Sequence, residues 1–314
     1  MRAAVATRFG PPEVVEVQEV PDAVAGAGQV LVRVAAAEVS SGDARIRAAR
    51  FPPGFALPAR LALGIRRPRR AVLGVALAGE VVAVGAGVDG LQVGQRACGM
   101  TGFRMGAHAE LAVLPADKAV PVPDGVADDD AAAVLFGGTT ALHFLRKADV
   151  GPGTTVLVNG ASGAVGASAV AIARHLGAEV TGVASFRNHE LVASLGAQHL
   201  IDREAHDVAK LPERYDVVFD TVGNLRIASG RALLRPGGRV ILAVATLGET
   251  IRGRGEVIVG TAAERADHMA ELLGWVRDGV LSVVHDRTYP LEEIVEAHRR
   301  VDTGRKVGSV LIRP

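Results

Sequence analysis

The chain has 314 residues, 49% of them hydrophobic, and a formal net charge of +1. That is ample for one large core or two ordinary ones, and it gives no general electrostatic pull toward nucleic acid. A single cysteine, Cys98, excludes an intramolecular disulfide and any cysteine-rich zinc site. No apolar run reaches the roughly 18–20 residues of a membrane span. The N-terminus, "MRAAVATRFGPPEVVEV", has no apolar stretch of the secretory kind. A cytoplasmic protein with neither a nucleic-acid nor a membrane partner is expected.

From Met1 to about Val126, short β-type runs alternate with Gly/Pro turns: "EVVEVQEV", "QVLVRVAAAEV", "LAGEVVAVG" and "AELAVLPADKAVPVP". Clustered strands of this kind predict a compact, mainly β and partly barrel-like domain. Within it, "ARFPPGFALPARLALG" is apolar and Pro-rich and reads as a lip over a substrate. Next to it, "GIRRPRRAVLG" gathers Arg66, Arg67, Arg69 and Arg70. That cluster could take an acidic substrate handle such as the phosphates of an acyl thioester, or nucleic acid, or lie in solvent as a plain loop.

From about residue 130 the texture turns to strand–helix alternation. Strands are predicted at 154–159, 179–184, 198–202, 215–220, 238–244 and 256–260, and helices at 164–176 and 188–195. This pattern predicts an α/β fold with a doubly wound parallel (Rossmann) sheet. The final segment ends in a strand that returns to the first domain. The expected division is residues 1–126 with 278–314 for a substrate domain, and 127–277 for a dinucleotide-binding domain.

The chemistry concentrates in "VLVNGASGAVG" at 156–166. A strand stops at Asn159 and a helical run follows Gly166. Gly160, Ala161, Ser162, Gly163, Ala164, Val165 and Gly166 therefore span the turn and first helical turn that would cradle a pyrophosphate on unpaired N–H groups. The register is A-x-G-x-x-G, with Ala161 where a glycine is usual; the same small residues could serve helix–sheet packing alone. An NAD site would place a carboxylate about 20 residues further on. Here the second strand ends in "GVASFRN", with Ser185 and Arg187 and no acid, and Arg203 follows the third strand. A hydroxyl and guanidinium groups suit a ribose 2′-phosphate, so NADPH is the predicted cofactor. In the plainer alternative, Ser185 and Arg187 only cap and solvate the next helix.

At this point the sequence resembles the medium-chain dehydrogenase/reductase superfamily, in its zinc-free quinone oxidoreductase-like branch. The resemblance rests on "VLGVALAGEVVAVGAGVDGLQVGQRACG", "GAHAELAVLPADKAVPVP", "LFGGTTALHFL", the glycine loop, "SLGAQHLID", "YDVVFDTVG", "LRPGGRVIL" and "GRKVGSVLI", and covers nearly the whole chain. Alcohol-oxidising members hold zinc with Cys, His and Cys. Those positions match Ser40, Val75 and Phe136 here, none a usual zinc ligand, so no metal is expected. The resemblance implies hydride transfer from NADPH to a quinone or to the C=C bond of an α,β-unsaturated carbonyl, including an acyl thioester.

It also implies cofactor roles for Thr140, near the nicotinamide ribose, and for Val222, Val244 and Thr246, at the ends of the fourth and fifth strands. Lys306, in a "GK"-type pattern, is a candidate phosphate contact. Ser40 stands where relatives carry Asn and is the one candidate carbonyl-binding group; capping a turn is its other role. The tyrosine that some enoyl reductases use has no counterpart, since Tyr215 and Tyr289 fall outside the first lobe, and water is expected to supply the proton. A homodimer paired through the edge strand "GEVIVGTAAE" is expected. The alternative function is a non-catalytic NADPH-binding redox sensor or a partner protein.

Overall fold

The computed structural model describes residues 1–314. The N-terminal part holds β1 (Arg2–Ala6), β2 (Val15–Glu19), β3 (Gln29–Glu38), α1 (Ser41–Arg47) and α2 (Ala56–Leu63), then β4 (Ala76–Val84), β5 (Arg96–Met100), β6 (Leu111–Pro115) and β7 (Ala119–Pro121). The long helix α3 (Asp128–Lys147) leads into β8 (Thr155–Asn159), α4 (Ala164–His175), β9 (Glu179–Ala184), α5 (His189–Ser194) and β10 (His199–Asp202). Next come β11 (Tyr215–Asp220), α6 (Ile227–Ala232), β12 (Leu234–Leu242), α7 (Leu247–Arg252), β13 (Val257–Val259) and α8 (Ala266–Arg277). The chain closes with β14 (His285–Pro290), α9 (Ile294–Asp302) and β15 (Ser309–Arg313).

Six strands form one parallel sheet in the order β10-β9-β8-β11-β12-β13. β8 comes first in sequence, yet its neighbours β9 and β11 lie on opposite sides of it, so the winding reverses between β8 and β11. In such a sheet the crevice beyond the strand C-termini at the reversal is where a ligand fits. Seven strands form the second sheet, β14-β15-β3-β4-β5-β7, with β6 also on β3. This is the predicted α/β Rossmann sheet with a mainly β partner, and the C-terminal strand returns to the latter.

Apolar alternation marks the central strands but not β14, "HDRTYP", an edge strand whose outer face is wet. Through β14, Tyr289 enters the core of the first lobe, which corrects the expectation that both tyrosines lie outside it. The apolar, Pro-rich lip is also more ordered than its composition suggests. Residues 56–63 make the helix α2, with Pro58 in its first turn where a missing N–H costs nothing.

Helix α3 ties the lobes together, burying residues from Ala131 to Leu145 between the two sheets. Gly137 is where α3 meets α4: a Cβ there would come 2.5 Å from the Ala164 carbonyl. Two backbone hydrogen bonds cross the cleft. The Gly308 amide donates to Ser162 O at 2.9 Å, and the Leu247 amide donates to Pro53 O at 3.0 Å.

The first lobe also buries His298, both of whose ring nitrogens lack partners, against His108 with ring centroids 5.9 Å apart. Burial, with His108 and Arg47 nearby, holds its pKa well below the usual 6.5. A histidine kept neutral in the fold contributes stability above the unfolded value and loses it as pH falls, by up to about 1.4 kcal/mol per pH unit. Below pH 6.5 the protein should therefore become acid-labile, and His298→Leu should remove this share of the loss. Urea titrations should show the variant gaining about 1–2 kcal/mol on wild type at pH 5 relative to pH 8. An equal difference at both pH values would show that His298 does not titrate this way.

Candidate functional site

The glycine loop begins where β8 stops. Asn159 donates through Nδ2 to Asp220 Oδ1 at 2.9 Å and to Asn224 Oδ1 at 2.6 Å, locking the end of β8 to the end of β11. Asp220 is fully buried and accepts the amides of Val222, Gly223 and Leu225, fixing the turn beyond β11. Sequence reasoning picks out neither Asn159 nor Asp220. Their signal is there to be read, since each is a polar residue directly after an apolar run at the C-terminal end of its strand.

Gly160 has φ +85°, and a Cβ on it would lie 2.6 Å from Val222 Cγ2. Gly166 lies under the loop: a Cβ there would come 2.0 Å from Gly160 O, so only glycine lets α4 approach this closely. Gly163 is the N-cap of α4 and supplies no side-chain cap. A Cβ on Gly163 would meet only Gly160 O, at 3.6 Å, so its outer side is open. The amides of Val165 and Gly166 find no partner in the protein, while the parallel bridge between Gly163 and Gly308 turns the Ala164 amide toward Gly308 O. Free N–H groups on Val165 and Gly166 at the start of a 12-residue helix, beside an open glycine, fit a pyrophosphate. Ala161 is buried and spends its amide on Val183 O, while Ser162 Oγ accepts from Asn188.

At the far end of this cradle, Ser185 is buried and its hydroxyl donates to Glu204 Oε1 at 3.2 Å. It makes no cap to the helix that follows. Arg187 is exposed, and so is Arg203, whose amide donates to Ala184 O at 3.0 Å and ties it to the end of β9. The guanidinium groups of Arg187 and Arg203 face solvent at the ends of β9 and β10 without a carboxylate partner of their own. Glu204 is the residue that sequence reasoning misses; it lies two positions past β10, next to the more conspicuous Arg203.

At the reactive end, the hydroxyls are already committed. Ser40 Oγ donates to Asp43 Oδ2 at 2.6 Å and accepts from the Asp43 amide at 3.2 Å, a capping box that starts α1. Asp43 Oδ1 in turn accepts the Gly74 amide. Of the two roles open to Ser40, the structure displays the cap. Thr140 Oγ1 donates back to Phe136 O at 2.7 Å. Thr246 forms a second capping box, with Glu249 at the head of α7.

Ser40 and Phe136 face each other across Gly42, whose Cβ position lies 3.2 Å from Ser40 Oγ and 3.9 Å from the Phe136 ring. Val75 joins the apolar core there. This set offers no metal-binding atoms beyond one hydroxyl, and no group of three or more His, Cys, Asp or Glu elsewhere could hold an ion. Zinc does not fit these residues.

Val222 is exposed, and Gly223 packs on Val244, which brings the β11 and β12 ends together above the glycine loop. The lip closes over them, with Gly54 against Leu247. Lys306 donates to Gly308 O at 2.6 Å, two residues from the amide that holds Ser162. Burial holds its ammonium below the ordinary lysine range, with Glu38 and Asp286 opposing that effect. Glu38 is buried with both carboxylate oxygens unpartnered, and burial pushes its carboxyl up to about 7. In this arrangement Lys306 braces the strand that touches the cradle.

The family model for alcohol dehydrogenase GroES-like domains matches residues 26–124, and the one for zinc-binding dehydrogenases matches 195–312. The chain is 31% identical to a quinone oxidoreductase of Pseudomonas aeruginosa, over 98% of this chain and 97% of that protein. It is 30% identical to a 2-haloacrylate reductase of a Burkholderia species, over 99% and 98%. It is also 30% identical to a phenolphthiocerol/phthiocerol polyketide synthase of Mycobacterium tuberculosis, over 99% of this chain but only 15% of that protein's length. Among solved structures, a quinone oxidoreductase from Coxiella burnetii superposes with a TM-score of 0.91 at 26% identity, covering 100% of this chain and 99% of that one. A mycobacterial protein solved in complex with NADPH superposes at 0.82, with 26% identity and 100% coverage of both chains.

Proposed function

This chain belongs to the medium-chain dehydrogenase/reductase superfamily, in the quinone oxidoreductase-like branch of NAD(P)H oxidoreductases, and from that premise we propose a zinc-independent, NADPH-dependent reductase of quinones or of the C=C bond of α,β-unsaturated carbonyls. The observation that carries the proposal is the pairing of a pyrophosphate-shaped cradle with a reactive end that has no metal ligands. Bound NADPH would supply the hydride. The free amides of Val165 and Gly166 would hold the pyrophosphate, and Arg187 and Arg203 would hold the 2′-phosphate, with Ser185 joining them by releasing Glu204. Val222, Val244 and the lip packed on Leu247 through Gly54 would exclude water from the face where the acceptor stacks. With no metal to polarise an alcohol, the acceptor has to be electrophilic already, as a quinone or enone is. The hydroxyls of Ser40, Thr140 and Thr246 are bound elsewhere, so the proton arrives from solvent.

Those same commitments favour the second reading, an NADPH-binding protein without turnover. One assay separates the two. EDTA-treated protein is mixed with NADPH or NADH and a panel of quinones and enones, and nucleotide oxidation is followed. Turnover with NADPH, weak turnover with NADH and indifference to EDTA are expected. NADPH binding without oxidation across the panel would favour the sensor, and activity that vanishes with EDTA would sink the zinc-free mechanism.

A further inference from the structure

Between Asp43 and Glu80 the chain carries eight arginines and not one carboxylate. Arg47 and Arg50 pair with Asp302, and Arg60 lies over the Phe9 ring. Arg66, Arg67, Arg69 and Arg70 reach no carboxylate, whereas Arg96, Arg146, Arg300 and Arg313 do, and what sets the four apart from other unpaired arginines is that all stand in the one short stretch "RRPRR". Three of them, with Ile65, line an open groove of about 990 Å³ against β1. Arg69 and Arg70 continue onto a neighbouring cavity of about 370 Å³ lined by Ala62, Leu63 and Phe103. Pro68 and Arg69 are common to both, so the patch is continuous.

The apolar part of this patch is as unusual as the charge. None of the eight residues of α2 is buried. Leu57 is 71% and Leu61 56% exposed, one turn apart on the same face, and Ile65 beyond the helix end is 62% exposed. Phe103, across the cavity, is 83% exposed. A helix this short is marginal in water without something to pack against, and nothing in the protein covers its outer face. An amphipathic surface with leucines projecting and arginines around them is the composition of a segment that lies in a bilayer interface.

We propose that α2 and the Arg66–Arg70 loop dock this protein on an anionic phospholipid surface. Leu57, Leu61, Ile65 and Phe103 enter the acyl boundary, and the four arginines meet the headgroup phosphates. A soluble phosphate ester would account for the arginines but leave the four exposed apolar side chains without a role; the bilayer accounts for both. That no helix is long and apolar enough to cross a membrane bears on spanning, not on lying at the interface. The lip segment Phe51–Phe55 runs directly into α2, so the docked face borders the cleft between the lobes.

The test is co-sedimentation of the full chain with vesicles of phosphatidylcholine alone or mixed with phosphatidylglycerol, with thermal melting to confirm folding of each variant. Pelleting is expected only with the anionic vesicles, and it should weaken as salt rises. Replacing all four arginines (R66Q/R67Q/R69Q/R70Q) should lower the partition coefficient by about a hundredfold or more, at roughly fivefold per arginine. L57S/L61S should lower it by about tenfold while leaving the salt dependence in place. No pelleting, equal pelleting on neutral vesicles, or folded variants that bind like wild type would overturn the proposal. Arginine-dependent binding to RNA or duplex DNA in place of vesicles would overturn it too, and reassign the surface. Vesicle binding is read without turnover, so this result stands or falls separately from the reductase reading.

Discussion

Replacing Gly166 by alanine should abolish useful NADPH binding, raising Kd by about a hundredfold or more, through loss of the amide contacts at the helix start. The new Cβ would fall 2.0 Å from Gly160 O, against backbone that has no rotamer to yield. The loop and α4 have to separate, and the amides of Val165 and Gly166 no longer converge. Some destabilisation accompanies this, about 1–3 kcal/mol as for other overpacked sites. Gly163→Ala separates the two effects. Its Cβ meets only Gly160 O at 3.6 Å, an ordinary contact, so the melting temperature should hold while the methyl intrudes on the open side of the cradle. Nucleotide fluorescence titrations with melting curves check both variants. A Gly166→Ala protein that binds NADPH like wild type would mean the pyrophosphate lies elsewhere.

The second large effect concerns which nucleotide is chosen. Arg187→Ala with Arg203→Ala should raise the Kd for NADPH by about a hundredfold, each charged hydrogen bond contributing about 1.5–3 kcal/mol. NADH has no 2′-phosphate and should be unaffected, so the preference between the two should collapse. Glu204 sharpens the test. Its carboxylate accepts from the Ser185 hydroxyl and stands where like charge opposes a phosphate. Glu204→Gln should therefore strengthen NADPH binding by a few-fold and leave NADH alone. If the double arginine variant weakened both nucleotides equally, the arginines would be acting on the fold, and the 2′-phosphate reading would fail.

Much of the frame is legible because the buried strands announce themselves. "TVLVN", "EVTGVA" and "YDVVFD" are continuous apolar runs ending in turn residues, as strands covered on both faces must be. β12 begins at Leu234, ahead of the predicted start at 238, because Pro236 and Gly237 look like a turn while Leu234 already pairs with Tyr215 before a bulge. α2 reads as a lip because its apolar residues face outward, so no core-facing stripe marks it. The cradle glycines can be ranked by spacing, but spacing does not tell which one touches backbone; the approach of Gly166 to Gly160 does. Side-chain hydroxyls are the least legible part. Ser40 and Thr246 each precede an acid by three residues, a capping signal in plain view that their place near the reaction overshadows.

Two of the hydrogen bonds that join the lobes, Gly308 to Ser162 and Leu247 to Pro53, run from main chain to main chain. Truncating Ser162, Leu247 or Pro53 to alanine leaves every donor and acceptor in place, and Gly308 has no side chain to remove. These two ties are thus written into the path of the chain, and an alanine scan would pass over them while registering the side-chain ties between the lobes, Lys118 to Glu264 and Arg313 to Asp129. Proline, which removes the donor itself, can cut one tie cleanly. Leu247 opens α7, a position that proline tolerates, so Leu247→Pro would free the lip from the loop after β12 and leave the helix standing. Gly308 sits at φ +71°, which proline cannot adopt, so the tie between the C-terminal strand and the glycine turn has no such clean cut.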